Sequence, residues 1–142
     1  MKPVCHEVTV RLAPADAFEL FTQGIGRWWP FAGHSCSGAD GLTVEFEPRV
    51  GGRVTEVAKD GTRHPWGLLT AWQPPHGFEM TWHPAQPEAH ATRLAVRFTP
   101  ADGGCTVAIE HAGFEVRGPE VRRNYDEGWA IVLGCYAKEA ER

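Results

Sequence analysis

Apolar and polar residues alternate through most of this chain, and the period changes only at its end. From Tyr125 to Arg142, the residues Trp129, Val132, Leu133, Tyr136, Ala137 and Ala140 recur at spacings of three and four. That spacing is one face of an amphipathic helix. Asp126 and Glu127 stand near its start and Lys138 and Arg142 near its end, the arrangement a helix dipole favours. Gly134 interrupts the helix at a cost of about 1 kcal/mol relative to Ala. A close approach by the sheet or by a ligand is the expected reason for it.

The earlier segments read as strands. Val4 to Leu12 places Val8, Val10 and Leu12 on one face, and Ala13-Pro14-Ala15-Asp16 ends it and opens a short helix with Ala17, Phe18, Leu20 and Phe21 on its apolar side. That helix should stop near Gly24 and Gly26. Ile25 to Pro30 reads as a second short helix or turn in which Trp28 and Trp29 point about 100° apart. Phe31 to Gly41 reads as loop. Leu42 to Glu47 alternates with Leu42, Val44 and Phe46 inward, and Arg53 to Ala58 follows. Asp60-Gly61 marks a hairpin, and His64 to Trp72 carries a bulge at Leu68-Leu69. Phe78 to Trp82, Thr92 to Thr99 and Cys105 to His111 are the remaining strands, separated by turns or loops rich in Pro, Gly and Asp. Ala112 to Asn124 reads as a loop, with room for a helical turn, leading into the final helix. Successive hairpins make an antiparallel sheet, and a twisted sheet of this kind curls around the one long helix. The expected architecture is α+β, with about six to seven strands and a single domain over residues 1–142.

Composition narrows the function classes. The 142 residues carry a formal net charge of −4 and a pI of about 5.9, against a nucleic-acid partner. No apolar run approaches the ~20 residues of a membrane span, and MKPVCHEVTV has no signal-peptide core, so no membrane insertion and a cytoplasmic location are expected. Cys5, Cys36, Cys105 and Cys135 form no CxxC pair and read as free thiols. The seven histidines have no metal-ligand spacing, so neither a metal nor another cofactor is expected. The unusual feature is six tryptophans. Such residues build either a ring-filled core or an apolar cavity with a few polar groups.

An ordered set of short motifs carries a resemblance. It begins with Ala13-Pro14 before Phe18 and Phe21, and continues with Trp28-Trp29-Pro30, Glu47-Pro48-Arg49, Gly51-Gly52-Arg53, Asp60-Gly61 and Trp66-Gly67. Pro74-Pro75, Thr81-Trp82, Cys105-Thr106-Val107, His111-Ala112-Gly113 and Gly128-Trp129 complete it. From about residue 8 to 137 the chain resembles the helix-grip superfamily of START lipid-transfer domains, birch-pollen-allergen-like proteins and aromatic polyketide cyclases. Within it, the chain is most similar to bacterial proteins like the C-terminal domain of the activator of the heat-shock-protein-90 ATPase, a branch that includes a calicheamicin-resistance protein. The resemblance implies a helix-grip fold with a ligand cavity between sheet and helix. Its motifs are turn and core residues, so they specify architecture more than chemistry.

Three functions follow as expectations. The first is a binding protein for a small apolar or aromatic molecule. Its inward candidates are Phe46, Trp66, Met80, Trp82, Phe98, Trp129, Leu133 and Tyr136, with Trp28 or Trp29 at the entrance. Arg53, His64, His83, His111 and Tyr125 are the polar groups available to orient a ligand. The second is a cyclase or hydrolase using the same cavity. His111 is the best base available to it, but alternation sends Glu110 to the opposite face, and Cys36 and Cys105 have no evident base partner. The third is a co-chaperone or stress-response role, with the chaperone as partner, which the resemblance implies. The activator it resembles works with an additional N-terminal domain that this chain is expected to lack. A sheet with open edges also allows a homodimer.

Overall fold

A computed structural model describes all residues, 1–142. Seven strands form one curved antiparallel sheet: β1 (Val4–Val10), β2 (Gly41–Phe46), β3 (Arg53–Ala58), β4 (Arg63–Gln73), β5 (Gly77–Trp82), β6 (Thr92–Ala101) and β7 (Gly104–Ala112). Their order is β1-β7-β6-β5-β4-β3-β2. Hairpins link β2 through β7 in sequence, and β1 pairs with β7 at the far edge. The chain therefore crosses the sheet between β1 and β2. It does so through α1 (Pro14–Phe21), a 3-10 turn at Ile25–Arg27, α2 (Phe31–His34) and a second 3-10 turn at Gly38–Asp40. The long α3 (Pro119–Ala140) closes the concave face and packs against β1 and α1. No helix is long and apolar enough to cross a membrane.

The alternation in the sequence becomes the inner face of the sheet. On β6 and β7, Leu94 pairs with His111, Val96 with Ile109 and Phe98 with Val107, and all six are buried. Phe78 and Met80 of β5 extend the same layer opposite Val96 and Leu94. From the helix, Trp129, Val132, Leu133, Tyr136 and Ala140 are buried against it. The expected helical face therefore holds, with Ala137 half-buried at its margin.

The structure corrects the reading of the sequence at five places. The final helix begins at Pro119 rather than Tyr125. Its added turn carries a single apolar side chain, Val121, which is partly buried against the core, too little by itself to mark a helical period. The turn is also held by the Arg122 guanidinium, which donates to the Lys2 and Pro3 carbonyls, at 2.7 and 3.2 Å. Gly118 precedes it at φ 93°, a conformation suited to glycine, and Pro119 takes the first helical position. Phe31 to Gly41, expected as loop, contains α2 and the second 3-10 turn. Leu42 is half-exposed rather than inward, because the β2–β3 register shifts between Gly41 and Thr43. Gly134 faces solvent with nothing within 4 Å of where a Cβ would stand, so no close approach requires it.

The fifth correction concerns β4, which carries two register shifts flanking the Leu68-Leu69 pair rather than one within it. One leaves Trp66 as the extra residue opposite β3, and the other does the same for Thr70 opposite β5. The first bulge turns Trp66 into the interior, where 1% of it is exposed. The neighbouring Gly67 has a backbone reason: an added Cβ would fall 1.8 Å from the Thr81 carbonyl oxygen.

Candidate functional site

Four indoles meet where the crossing segment, the sheet and α3 converge. Trp29 follows the first 3-10 turn, Trp66 comes from the bulge, Trp82 ends β5 and Trp129 lies on α3. Ring centroids are 5.0 Å apart for Trp29–Trp66 and for Trp66–Trp82, 5.5 Å for Trp82–Trp129 and 6.0 Å for Trp29–Trp129. These are favourable tilted and edge-to-face spacings. The same residues that supply the apolar area must satisfy an N–H each, and those bonds fix the surrounding polar groups.

Trp66 donates to the Glu56 carboxylate at 2.9 Å. Glu56 also accepts the Cys36 amide at 2.9 Å, the Ser37 amide at 2.7 Å and a short bond from the Ser37 hydroxyl. Every partner is a donor, so this fully buried side chain is an ionised acceptor. Burial pushes its carboxyl up, but the bonds from Ser37, Cys36 and Trp66 outweigh that and hold it below the usual carboxylate range. Its effect is to tie the segment after α2 onto β3.

Trp129 donates to His111 Nδ1 at 2.9 Å. Indole is a donor only, so Nδ1 is unprotonated and the proton sits on Nε2, which donates to Thr92 Oγ1 at 2.6 Å. The Thr92 hydroxyl in turn donates to the Trp82 carbonyl at 3.2 Å. Burial lowers the His111 pKa to about 3, so the ring is neutral. Both ring nitrogens are engaged, which leaves no free lone pair for proton abstraction.

Trp82 donates to the Tyr125 hydroxyl at 3.0 Å. The Tyr125 ring lies 4.8 Å from His111 and 5.7 Å from Phe114. Burial raises its phenol, against the opposing effect of the Trp82 bond, so it is a neutral hydroxyl.

Beside this cluster opens a cleft of about 250 Å³. Trp29, Trp82, Tyr125, Trp129 and Val132 form its apolar floor and helix side. His34, Ser35 and Cys36 form one wall, Pro84 and Ala85 another, and Asn124 and Gly128 lie on the helix rim. The Trp29 indole donates to the His34 carbonyl at 3.0 Å, so α2 and the floor are joined. The His34 ring lies against α3, 3.6 Å from where a Cβ on Gly128 would be. Burial, reinforced by the Glu56 charge, pushes the Cys36 thiol up and keeps it protonated. Ala85 sits at φ 61°, an uncommon conformation for a residue with a side chain, on the opposite rim.

Of the residues the sequence nominated, Trp29, Trp82, Tyr125 and Trp129 come together in the cleft. Trp66 lies beneath it, in contact with Trp29 and Trp82. His111 lies behind Trp129, bonded to it. Trp28 is not at an entrance. It packs on Phe21 and Tyr136 and donates to the Leu20 carbonyl. Phe46, Met80, Phe98, Leu133 and Tyr136 fill the core, and the Tyr136 hydroxyl donates to the Ala17 carbonyl at 2.8 Å. Arg53 is exposed and His64 half-buried, and neither borders the cleft. His83 bonds the Gln86 carbonyl within its own loop. Sequence reasoning missed His34, Ser35, Cys36, Pro84, Ala85, Asn124, Gly128 and Val132 as cleft residues. Most stand on segments without periodicity. Val132 was legible as part of the helix face, and Gly128 as the residue before Trp129.

Comparison with known proteins gives a consistent family signal. A family described as activator of Hsp90 ATPase homolog 1-like protein matches residues 11–135. No protein of curated function matches the sequence. Among solved structures, an anthrahydroquino-gamma-pyrone synthase, Txn09, complexed with SUM, is 27% identical with a TM-score of 0.67, over 97% of this chain and 96% of that one. The Aha1 dimer from Colwellia psychrerythraea is 15% identical with a TM-score of 0.74, over 99% and 97% of the two chains. CalU16 from Micromonospora echinospora is 14% identical with a TM-score of 0.67, over 96% and 73%. The latter two likenesses concern the fold alone.

Proposed function

This chain belongs to the activator of Hsp90 ATPase homolog 1-like family, and we propose that it binds a small apolar or aromatic molecule in the cleft between the α2 segment, the end of β5 and α3. The observation that carries this reading is the cleft itself, about 250 Å³ and floored by Trp29, Trp82 and Trp129 with the Tyr125 hydroxyl among them. Mostly apolar walls with a few placed polar groups are what small-molecule sites have in common. The similarity to a synthase solved as a complex supports the same direction. Catalysis draws less support, because His111, the base it would use, has both nitrogens committed to Trp129 and Thr92. Within this proposal the chain works as one domain in the cytoplasm, where its four free cysteines stay reduced.

The test is a native mass spectrum of the purified protein against its denatured mass, followed by a tryptophan-fluorescence screen of apolar ligands. A retained mass, or saturable quenching, is expected. Gly128→Leu would push a side chain toward His34 and fill the cleft. It should weaken binding at least tenfold while the protein stays folded. Absence of any retained mass or response in the wild type would sink the reading and turn attention to protein partners.

A further inference from the structure

The Tyr125 hydroxyl is the one group of the cleft whose unused capacity is defined by its partner. It accepts the Trp82 indole N–H at 3.0 Å. Indole cannot accept in return, so the phenolic proton points elsewhere. No carbonyl or side chain of the protein receives it, and the residue borders the cleft. Its ring packs on His111 and Phe114, which holds the hydroxyl oxygen in place. Tyr125 is half-buried at the cleft, so its proton is free to be donated to an oxygen of a bound ligand.

The charges around the cleft narrow the ligand further. No lysine or arginine lines it. Two charges lie close to it: the Glu56 carboxylate, which holds the Cys36 and Ser37 amides from behind, and the Arg117 guanidinium, which is near enough to Tyr125 to favour its phenolate but does not line the cleft. An anion placed here would lose its water and face the Glu56 carboxylate, with no lysine or arginine in the lining to bond it directly. A cation would find Glu56 already engaged with four donors. The indoles of Trp29, Trp82 and Trp129 offer flat apolar surface.

Resting on the ligand-binding reading above, we propose that the cleft selects an uncharged, flat aromatic ring carrying a carbonyl-type oxygen, and that Tyr125 is the specificity residue that donates to this oxygen.

Calorimetric titration with three probes tests it. Chromone carries a ring carbonyl, naphthalene has the same bicyclic outline without one, and chromone-2-carboxylate adds a negative charge. The wild type should bind chromone and naphthalene, and should bind the carboxylate at least tenfold more weakly than chromone. Tyr125→Phe should weaken chromone about five- to tenfold, the size of one lost hydrogen bond, and leave naphthalene unchanged. Chromone affinity that survives in Tyr125→Phe overturns the proposal. So does an equal loss for naphthalene, or a carboxylate that binds as well as chromone. If none of the three binds the wild type, the ligand-binding reading falls first and takes this one with it. Tyr125→Phe leaves the Trp82 N–H unpaired. Should that variant not fold, infrared spectra of chromone bound to the wild type decide. A carbonyl stretch at its hydrogen-bonded position supports the donor, and a rise to the value in an apolar solvent overturns it.

Discussion

His111 has no exposed surface and is neutral because burial lowers its pKa from about 6.5 to about 3. The unfolded chain takes up a proton below its own, ordinary pKa, while the folded chain does not until far lower. The resulting stability is therefore fully present above about pH 6.5 and falls as the pH drops toward 3, at up to about 1.4 kcal/mol per pH unit. Urea unfolding between about pH 6.5 and 5 should show this slope in the wild type and a flatter one in His111→Gln. Parallel slopes in the two proteins would rule out His111 as the source. Loss of the Glu56 charge belongs to a lower window, because its carboxyl is held below the ordinary carboxylate range. At this scale the sequence was half legible. Alternation put His111 inward and helical spacing put Trp129 inward, but the hydrogen bond between them is a tertiary fact. Glu56 was not nominated at all. An acidic residue in a strand ordinarily faces water, and the donors that make this one affordable lie on another segment.

Among the elements, α3 was the most legible and its first turn the least. Periodicity reports apolar burial, and the turn from Pro119 offers it only Val121, while Arg122 adds bonds to the carbonyls of Lys2 and Pro3 that no period shows. The glycine in the same helix follows the opposite logic. Gly134 is helical and exposed, and nothing approaches its position. Gly134→Ala should stabilise the protein by about 0.5–1 kcal/mol, since only backbone entropy is at stake. A matched pair of urea melts would register the gain, and a loss would mean that an unseen neighbour needs the space. The bulges of β4 show why strands were easier to place than to face. Alternation locates a strand, but one inserted residue redirects everything beyond it, as Trp66 does.

For the molecule as a whole, the ring cluster joins three parts of the chain that have little else in common. Trp29 brings the crossing segment, Trp66 and Trp82 the sheet, and Trp129 the helix. Trp129→Ala should cost about 3–5 kcal/mol by opening a large cavity at that junction and freeing His111 Nδ1 of its donor. The loss should appear as a single earlier urea transition, and a change under about 1 kcal/mol would show that the rings do not bind the parts together. The order of strands, turns and helices was readable because alternation and turn residues encode it locally. The cleft was not, because its walls come from residues 34–36 and 84–85, whose positions depend on what they pack against. The first of those walls is attached to the sheet mainly through one carboxylate, by two successive amides and a hydroxyl. That makes it a removable panel. A grafted loop that offers Glu56 the same three donors would seat in the same place. The binding surface could then be redesigned by exchanging a few residues while the scaffold that carries it is left untouched.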